Sequence, residues 1–214
     1  MQTRFILSLI LNAAIAVLML YVWLRLVFNW DKSTKVLVDR GLRSIKYFTV
    51  QSNLFSGGVS VACVIAYLAL GPVLPTWLLT LKLVATTAVM LTFIAVIAIL
   101  VPTYDVKFLY MGSNFWMHLV LPLLAAIDCC FLQPVGALPW QATLLSVIPT
   151  ALYGVEYLRN LIVHGAKENG VVYDFYHFLR WGKNKVPVVA LVALASTWGL
   201  SVILHAASHL CYVG

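Results

Sequence analysis

LILNAAIAVLMLYVWLRLVF (residues 9–28) is a continuous apolar run, and VVALVALASTWGLSVIL (residues 188–204) repeats that character near the other end of the chain. Hydrocarbon about 30 Å thick needs roughly 20 apolar residues to be crossed by one helix. A membrane β-strand would instead show alternating segments of about ten residues. Working outward from these two runs, the sequence offers six stretches of helical length, at about 5–27, 47–70, 76–101, 115–133, 141–163 and 187–210. Pro72, Pro75, Pro102, Pro139 and Pro187 fall at or beside their ends, where proline costs a helix least. The first run exceeds twenty residues and has no small-residue cleavage site after it, so it reads as a retained helix rather than a signal peptide. The sequence therefore predicts an all-α polytopic membrane protein, a six-transmembrane-helix bundle forming one domain over residues 1–214.

Composition agrees, with 63% hydrophobic and 10% charged residues and a mean hydropathy of +0.96. No soluble core of this length hides that much apolar surface. The net charge of +7 does not point to nucleic acid, because of where it sits. Arg25, Lys32, Lys35, Arg40, Arg43 and Lys46 lie in or beside the first connection, Lys107 in the third, and Arg159, Lys167, Arg180, Lys183 and Lys185 in or beside the fifth. Only Arg4 and Lys82 lie towards the other face. The positive-inside rule then places connections one, three and five in the cytoplasm, both termini outside, and the basic residues against anionic lipid.

The four cysteines, Cys63, Cys129, Cys130 and Cys211, show no CxxC spacing. They read as packing residues, with a bridge from Cys211 to Cys129 or Cys130 expected if the outer face is oxidising. There is no 20-to-50-residue repeat and no inverted symmetry between the two halves. NGVVYDFYHFLRWGKNK (residues 169–185) mixes Tyr173, Phe175, Tyr176, Phe178 and Trp181 with charge. That composition suits the headgroup region, and the segment is expected to act as a lid or lipid-access surface over the cytoplasmic end.

Polar residues inside the spans carry the functional signal. Thr49 lies about 5 Å into the second span and His118 about 6 Å into the fourth, on the same side of the membrane. Thr49, Ser52, Asn53, Ser56 and Ser60 form one helical stripe; Asn114, His118, Ala125 and Asp128 form another; Glu156, Arg159, Asn160 and His164 line a third at the same end. Simpler explanations cover several of these. Ser52, Ser56, Gly57, Gly58 and Ser60 read as a close-packing face, Glu156 and Arg159 as a mutually neutralising pair, and Lys82 with Asp128 as a structural ion pair. His205 and His209 have the i, i+4 spacing of metal ligands but would need Asp128, Cys129 or Cys130 to complete a site.

A threonine hydroxyl becomes a useful nucleophile when a base takes its proton, and neutral histidine suits that task near pH 7. Attack on an ester creates an oxyanion that needs donors, for which Asn53, Asn114 and Gln51 are candidates; Glu156 is a candidate for orienting the site. The chemistry so read is acyl transfer to Thr49 and then hydrolysis. It needs no metal and no organic cofactor, and a membrane site selects lipid esters.

KYFTVQSNL (46–54) and NFWMHLVLP (114–122) resemble segments of the androgen-induced protein family, and of its bacterial relatives in particular. NGVVYDF (169–175) resembles the aromatic segment before that family's last helix. The resemblance implies a six-span hydrolase of fatty acid esters of hydroxy fatty acids, with Thr49 as nucleophile and His118 as its partner. Two other classes remain open at this point. One is a haem protein using His118 and His164 as axial ligands with Arg159 near the propionates. The other is a lipid or small-molecule carrier whose polar stripes line a cavity.

Overall fold

A computed structural model describes residues 2–28, 41–101, 106 and 110–212. Lys32, Lys35, Arg40, Pro102 and Lys107, used above for topology and helix ends, lie outside the described residues. The described chain is an all-α bundle of α1 (Gln2–Val27), α2 (Phe48–Leu70), α3 (Thr76–Ala95), α4 (Ser113–Leu132), α5 (Val147–His164) and α6 (Val186–Tyr212). Its only strands among the described residues are the two-residue β1 (Lys167–Glu168) and β2 (Val171–Val172), an antiparallel hairpin between α5 and α6.

Five helices, all but α5, have the length and apolarity needed to cross a membrane. The chain is a membrane protein with transmembrane helices. The expected fifth span is helical but shorter, with a separate turn at Ala142–Leu145, and Glu156, Arg159 and Asn160 lower its apolarity. Its outer face is still apolar, with Leu152, Val155, Ile162 and Val163 all exposed.

Burial along each helix follows from having lipid on one side and protein on the other. In α1 the buried residues are Ser8, Asn12, Ile15, Met19, Val22 and Leu26, at alternating steps of four and three, while Ile6, Ile10, Val17 and Leu20 face outward. That stripe lies on α2, and the two backbones approach closely at Gly57, where a Cβ would sit 2.9 Å from Met19 Cβ and Cγ. Ser52, Ser56 and Ser60 are buried on α2 as the close-packing reading expects, whereas Gly58 is exposed with open space around it. Central α3 is the most enclosed helix, touching α2, α4 and α6. Hydroxyls knit the rest together: Ser201 Oγ donates to Ser146 Oγ at 2.8 Å and Trp198 Nε1 to Thr143 Oγ1 at 3.2 Å.

Two apolar clusters form the core. One gathers Cys63, Leu78, Leu83, Cys129, Val135 and Leu204 at the end of the bundle that holds the α2–α3 connection. The other gathers Ile15, Met19, Val22, Tyr47, Val50, Val89, Met117 and Leu121 around the opposite end. All four cysteines are free thiols, so the expected bridge to Cys211 is not formed; Cys129 and Cys130 are buried in packing. His205 and His209 are not gathered with a third ligand, and no metal-binding group of three His, Cys, Asp or Glu exists among the described residues. Both imidazoles instead engage the turn before α5, His205 Nε2 at the Leu138 carbonyl (2.8 Å) and His209 Nδ1 at the Gly136 carbonyl (3.1 Å).

Candidate active site

The geometry around His118 begins with a proline. Residues Trp116–Val120 wind as a π turn, in which the Leu121 amide donates to the Trp116 carbonyl five residues back. In an α-helix that amide would have served Met117; the next residue, Pro122, has no N–H to offer. The Met117 carbonyl thus loses both its α-type and its π-type donor. Asn53 on α2 supplies one from across the contact, with Nδ2 3.2 Å from Met117 O. The same nitrogen donates to the Thr49 carbonyl at 2.8 Å. One amide therefore ties the turn that carries Thr49 to the turn that carries His118, and widened turns of this kind concentrate at functional sites. His118 is buried at 5% exposure, Asn114 is fully enclosed one turn before it, and Thr49 is half-buried.

This bridge changes the part assigned to Asn53. Its amide nitrogen is engaged on two carbonyls, so Asn53 is a tie between helices rather than an oxyanion donor. Its Oδ1 is buried without a hydrogen-bond partner among the described residues. Gln51 is also placed elsewhere: it is exposed, and its Nε2 donates to the Ile45 carbonyl at 2.9 Å. Of the three amides expected to serve an oxyanion, Asn114 alone stands buried on the helix of His118.

The start of α2 is closed by a residue that sequence reasoning left in the headgroup region. Tyr47 at the N-cap makes no side-chain cap, so the first amides of α2 need an outside acceptor. They find the hydroxyl of Tyr176, which accepts from Phe48 N at 3.0 Å and lies against the amide and hydroxyl of Thr49. Burial of that hydroxyl pushes the Tyr176 phenol above its ordinary pKa. Tyr176 belongs to a strap, residues 173–181, held by Asp174. This buried carboxylate accepts from Tyr157 Oη (2.7 Å), Phe178 N (2.7 Å) and Leu179 N (2.9 Å). Phe175 stacks edge-on against Tyr47 with centroids 4.9 Å apart, fastening the strap to the second core cluster. The segment expected to cover this end does cover it.

Beside the strap lies a cavity of about 300 Å³ walled by Lys46, Gln51, Tyr153, Glu156, Asn160 and Tyr173, among others. Neither Thr49 nor His118 lines it. Glu156 on its rim is exposed, 3.8 Å from Arg159 and hydrogen-bonded to Asn160 (3.1 Å), as the neutralising pair predicts. His164 pairs with Glu168 and stacks on Tyr173, with ring centroids 4.4 Å apart.

A second polar group fills the interior towards the other end. Lys82 and Asp128 form the expected ion pair at 2.8 Å, both essentially without exposure. Ser8 Oγ and Asn12 Nδ2 donate to the carboxylate at 2.6 and 2.8 Å, and Lys82 donates to Asn12 Oδ1 at 2.6 Å. Tyr67 and Gln133 extend the network through Ser8. Every charged group in it is satisfied, which marks it as architecture.

The sequence-predicted residues thus divide. Asn53 ties the Thr49 turn of α2 to the turn of α4 that holds Met117 and His118, with Asn114 one turn earlier on α4; Gln51 and Glu156 line the neighbouring cavity. Tyr176 and Asp174 were missed as site residues, since only the fold brings residue 176 to residue 49. No family model, curated protein or solved structure matches the chain.

Proposed function

We propose that this protein is an integral membrane hydrolase that cleaves fatty acid esters of hydroxy fatty acids, or lipid esters closely related to them, by acyl transfer to Thr49. The observation that carries the reading is the Asn53 bridge, which fixes the threonine's turn against the histidine's turn inside an apolar bundle. His118 takes the Thr49 proton as Oγ1 attacks the ester carbonyl. The tetrahedral intermediate collapses, the hydroxy fatty acid leaves with the proton from His118, and the acyl group stays on Thr49. Water, deprotonated by His118, then releases the fatty acid and restores the hydroxyl. Asn114, buried one turn before His118, is the side chain we assign as donor to the oxyanion.

The resemblance of residues 46–54 and 114–122 to the androgen-induced protein family supports the same assignment. The charge distribution supports six crossings, with α5 as the least apolar, and a site near the cytoplasmic face, and the resemblance to bacterial relatives supports a bacterial inner membrane. Substrate and surrounding membrane lipids are the partners the reading requires.

The test is hydrolysis of such an ester by purified protein in detergent, wild type against Thr49→Ala at equal folded concentration. Activity in the wild type and none in the variant is the expected result. A folded wild type inactive on several acyl chains would instead favour a carrier or a haem protein.

A further inference from the structure

The cavity beside the strap has a chemistry of its own, separate from Thr49 and His118. At about 300 Å³ it sits at the small end of ligand pockets, roughly 300–1,000 Å³, and so takes a headgroup rather than an acyl chain. On its α2 wall, Gln51 Nε2 donates to the Ile45 carbonyl at 2.9 Å; on its α5 wall, Asn160 Nδ2 donates to Glu156 Oε1 at 3.1 Å. With both amide nitrogens engaged on the protein, what these side chains offer a ligand is their carbonyl oxygens. The Glu156 carboxylate is a third acceptor group. Its contact with Arg159 is 3.8 Å long, between side chains that are 63% and 74% exposed, and a surface pair of that kind is worth little.

Positive charge enters from the end of the cavity nearest α2. The Lys46 ammonium lies 5.0 Å from the Phe175 ring centroid, 5.3 Å from that of Tyr47 and 3.5 Å from the Val172 carbonyl. Phe175 and Val172 are themselves walls of the cavity, and so is Tyr173, whose ring stacks on His164. Three acceptors and one cation therefore share a small chamber of apolar and aromatic surface, in a segment whose composition suits the headgroup level of a membrane.

We propose that this cavity binds the headgroup of a phosphoethanolamine lipid, with the primary ammonium on Glu156, Asn160 and Gln51 and the phosphate on Lys46. A primary ammonium carries three N–H donors, which three acceptors match. A choline headgroup has no N–H to give them, and a glycerol headgroup brings no cation to Glu156. The binding is non-covalent and does not rest on the acyl-transfer reading.

The experiment uses the whole chain, purified and delipidated in detergent. Phosphatidylethanolamine, phosphatidylcholine and phosphatidylglycerol with identical acyl chains are titrated by native mass spectrometry, which separates them by mass. Wild type should bind the ethanolamine lipid about tenfold more tightly than either competitor, the scale of one hydrogen bond to a charged group at a partly exposed site. Glu156→Gln keeps the side-chain shape and should bring that preference to within about twofold. Gln51→Leu removes a neutral acceptor and should lower it by about threefold. Arg159→Gln, on the same helix but outside the cavity walls, should keep it. Equal binding of the ethanolamine and choline lipids by wild type, tighter binding of the glycerol lipid, or full preference in Glu156→Gln would each overturn the proposal. Free O-phosphoethanolamine binding as tightly as the lipid would overturn the assignment to a membrane lipid. Should Glu156→Gln fail to fold, Gln51→Leu decides, and an unchanged preference in that variant would overturn the site.

Discussion

Replacing Lys82 by Met should destabilise the bundle by about 3–5 kcal/mol, the usual cost of stranding one partner of a buried ion pair. The structure sets the magnitude. Asp128 is 0% exposed, and without the ammonium 2.8 Å away its carboxylate keeps only Ser8 and Asn12 as donors. Two neutral hydrogen bonds do not replace a counter-charge in a medium without water. If the network were merely a chain of interhelical hydrogen bonds, the loss would be nearer 0.6 kcal/mol, the average for such bonds within membranes. The two accounts therefore differ by several-fold. The assay is reversible unfolding in mixed micelles by SDS titration, followed through tryptophan fluorescence, with Asp128→Asn and the double variant completing the cycle. Adding Asp128→Asn to Lys82→Met should restore more than half of the lost stability, since it removes the stranded charge. A single-variant cost below about 1 kcal/mol, or no recovery in the double variant, would refute the ion-pair reasoning.

Other consequences are as specific. A Cβ at Gly136 would lie 2.2 Å from the His209 amide nitrogen and 2.3 Å from its Cα, both backbone atoms, so Gly136→Ala should lower stability by about 1–3 kcal/mol in the same titration. Asp174→Ala removes the acceptor of three hydrogen bonds and should free the strap, read as faster proteolysis between residues 165 and 185 together with a fall in kcat. His118→Ala should cost about 10²- to 10⁴-fold in kcat, the range for loss of a general base. Because His205 and His209 hold carbonyls, a chelator should leave both melting midpoint and activity unchanged; a lowered midpoint restored by zinc would contradict that placement.

The helical bundle was legible because its signals are local. Hydropathy over twenty residues marks a span, prolines mark the ends, and helical spacing puts Thr49 and Asn53 on one stripe. The Lys82–Asp128 pair was legible for a related reason: two opposite charges at one depth on consecutive helices have few other ways to be satisfied. What stayed hidden needed the third dimension. Pro122 lies inside the fourth span, away from the helix ends that prolines mark, and by withholding an amide it opens the turn at His118 and invites Asn53 across. Asn53 itself has the chemistry of an oxyanion donor, and only its two carbonyl partners show that it does another job. Tyr176 looked like one of five headgroup aromatics. Its pairing with the start of α2 depends on the hairpin and on Asp174, neither of which sequence pattern announces. His205 and His209 had a ligand's spacing, and the turn at Gly136 claimed them first.

The central claim is a covalent one, that Thr49 carries the acyl group between ester cleavage and water attack. The direct measurement is rapid acid quench of the protein during turnover of a lipid ester, followed by digestion and mass analysis of the peptide containing residues 47–54. The account predicts a fraction of that peptide heavier by one acyl group, with fragmentation placing the addition on Thr49, and none in Thr49→Ala. Turnover with no acylated peptide at any quench time, or an acyl group on another residue, would contradict it.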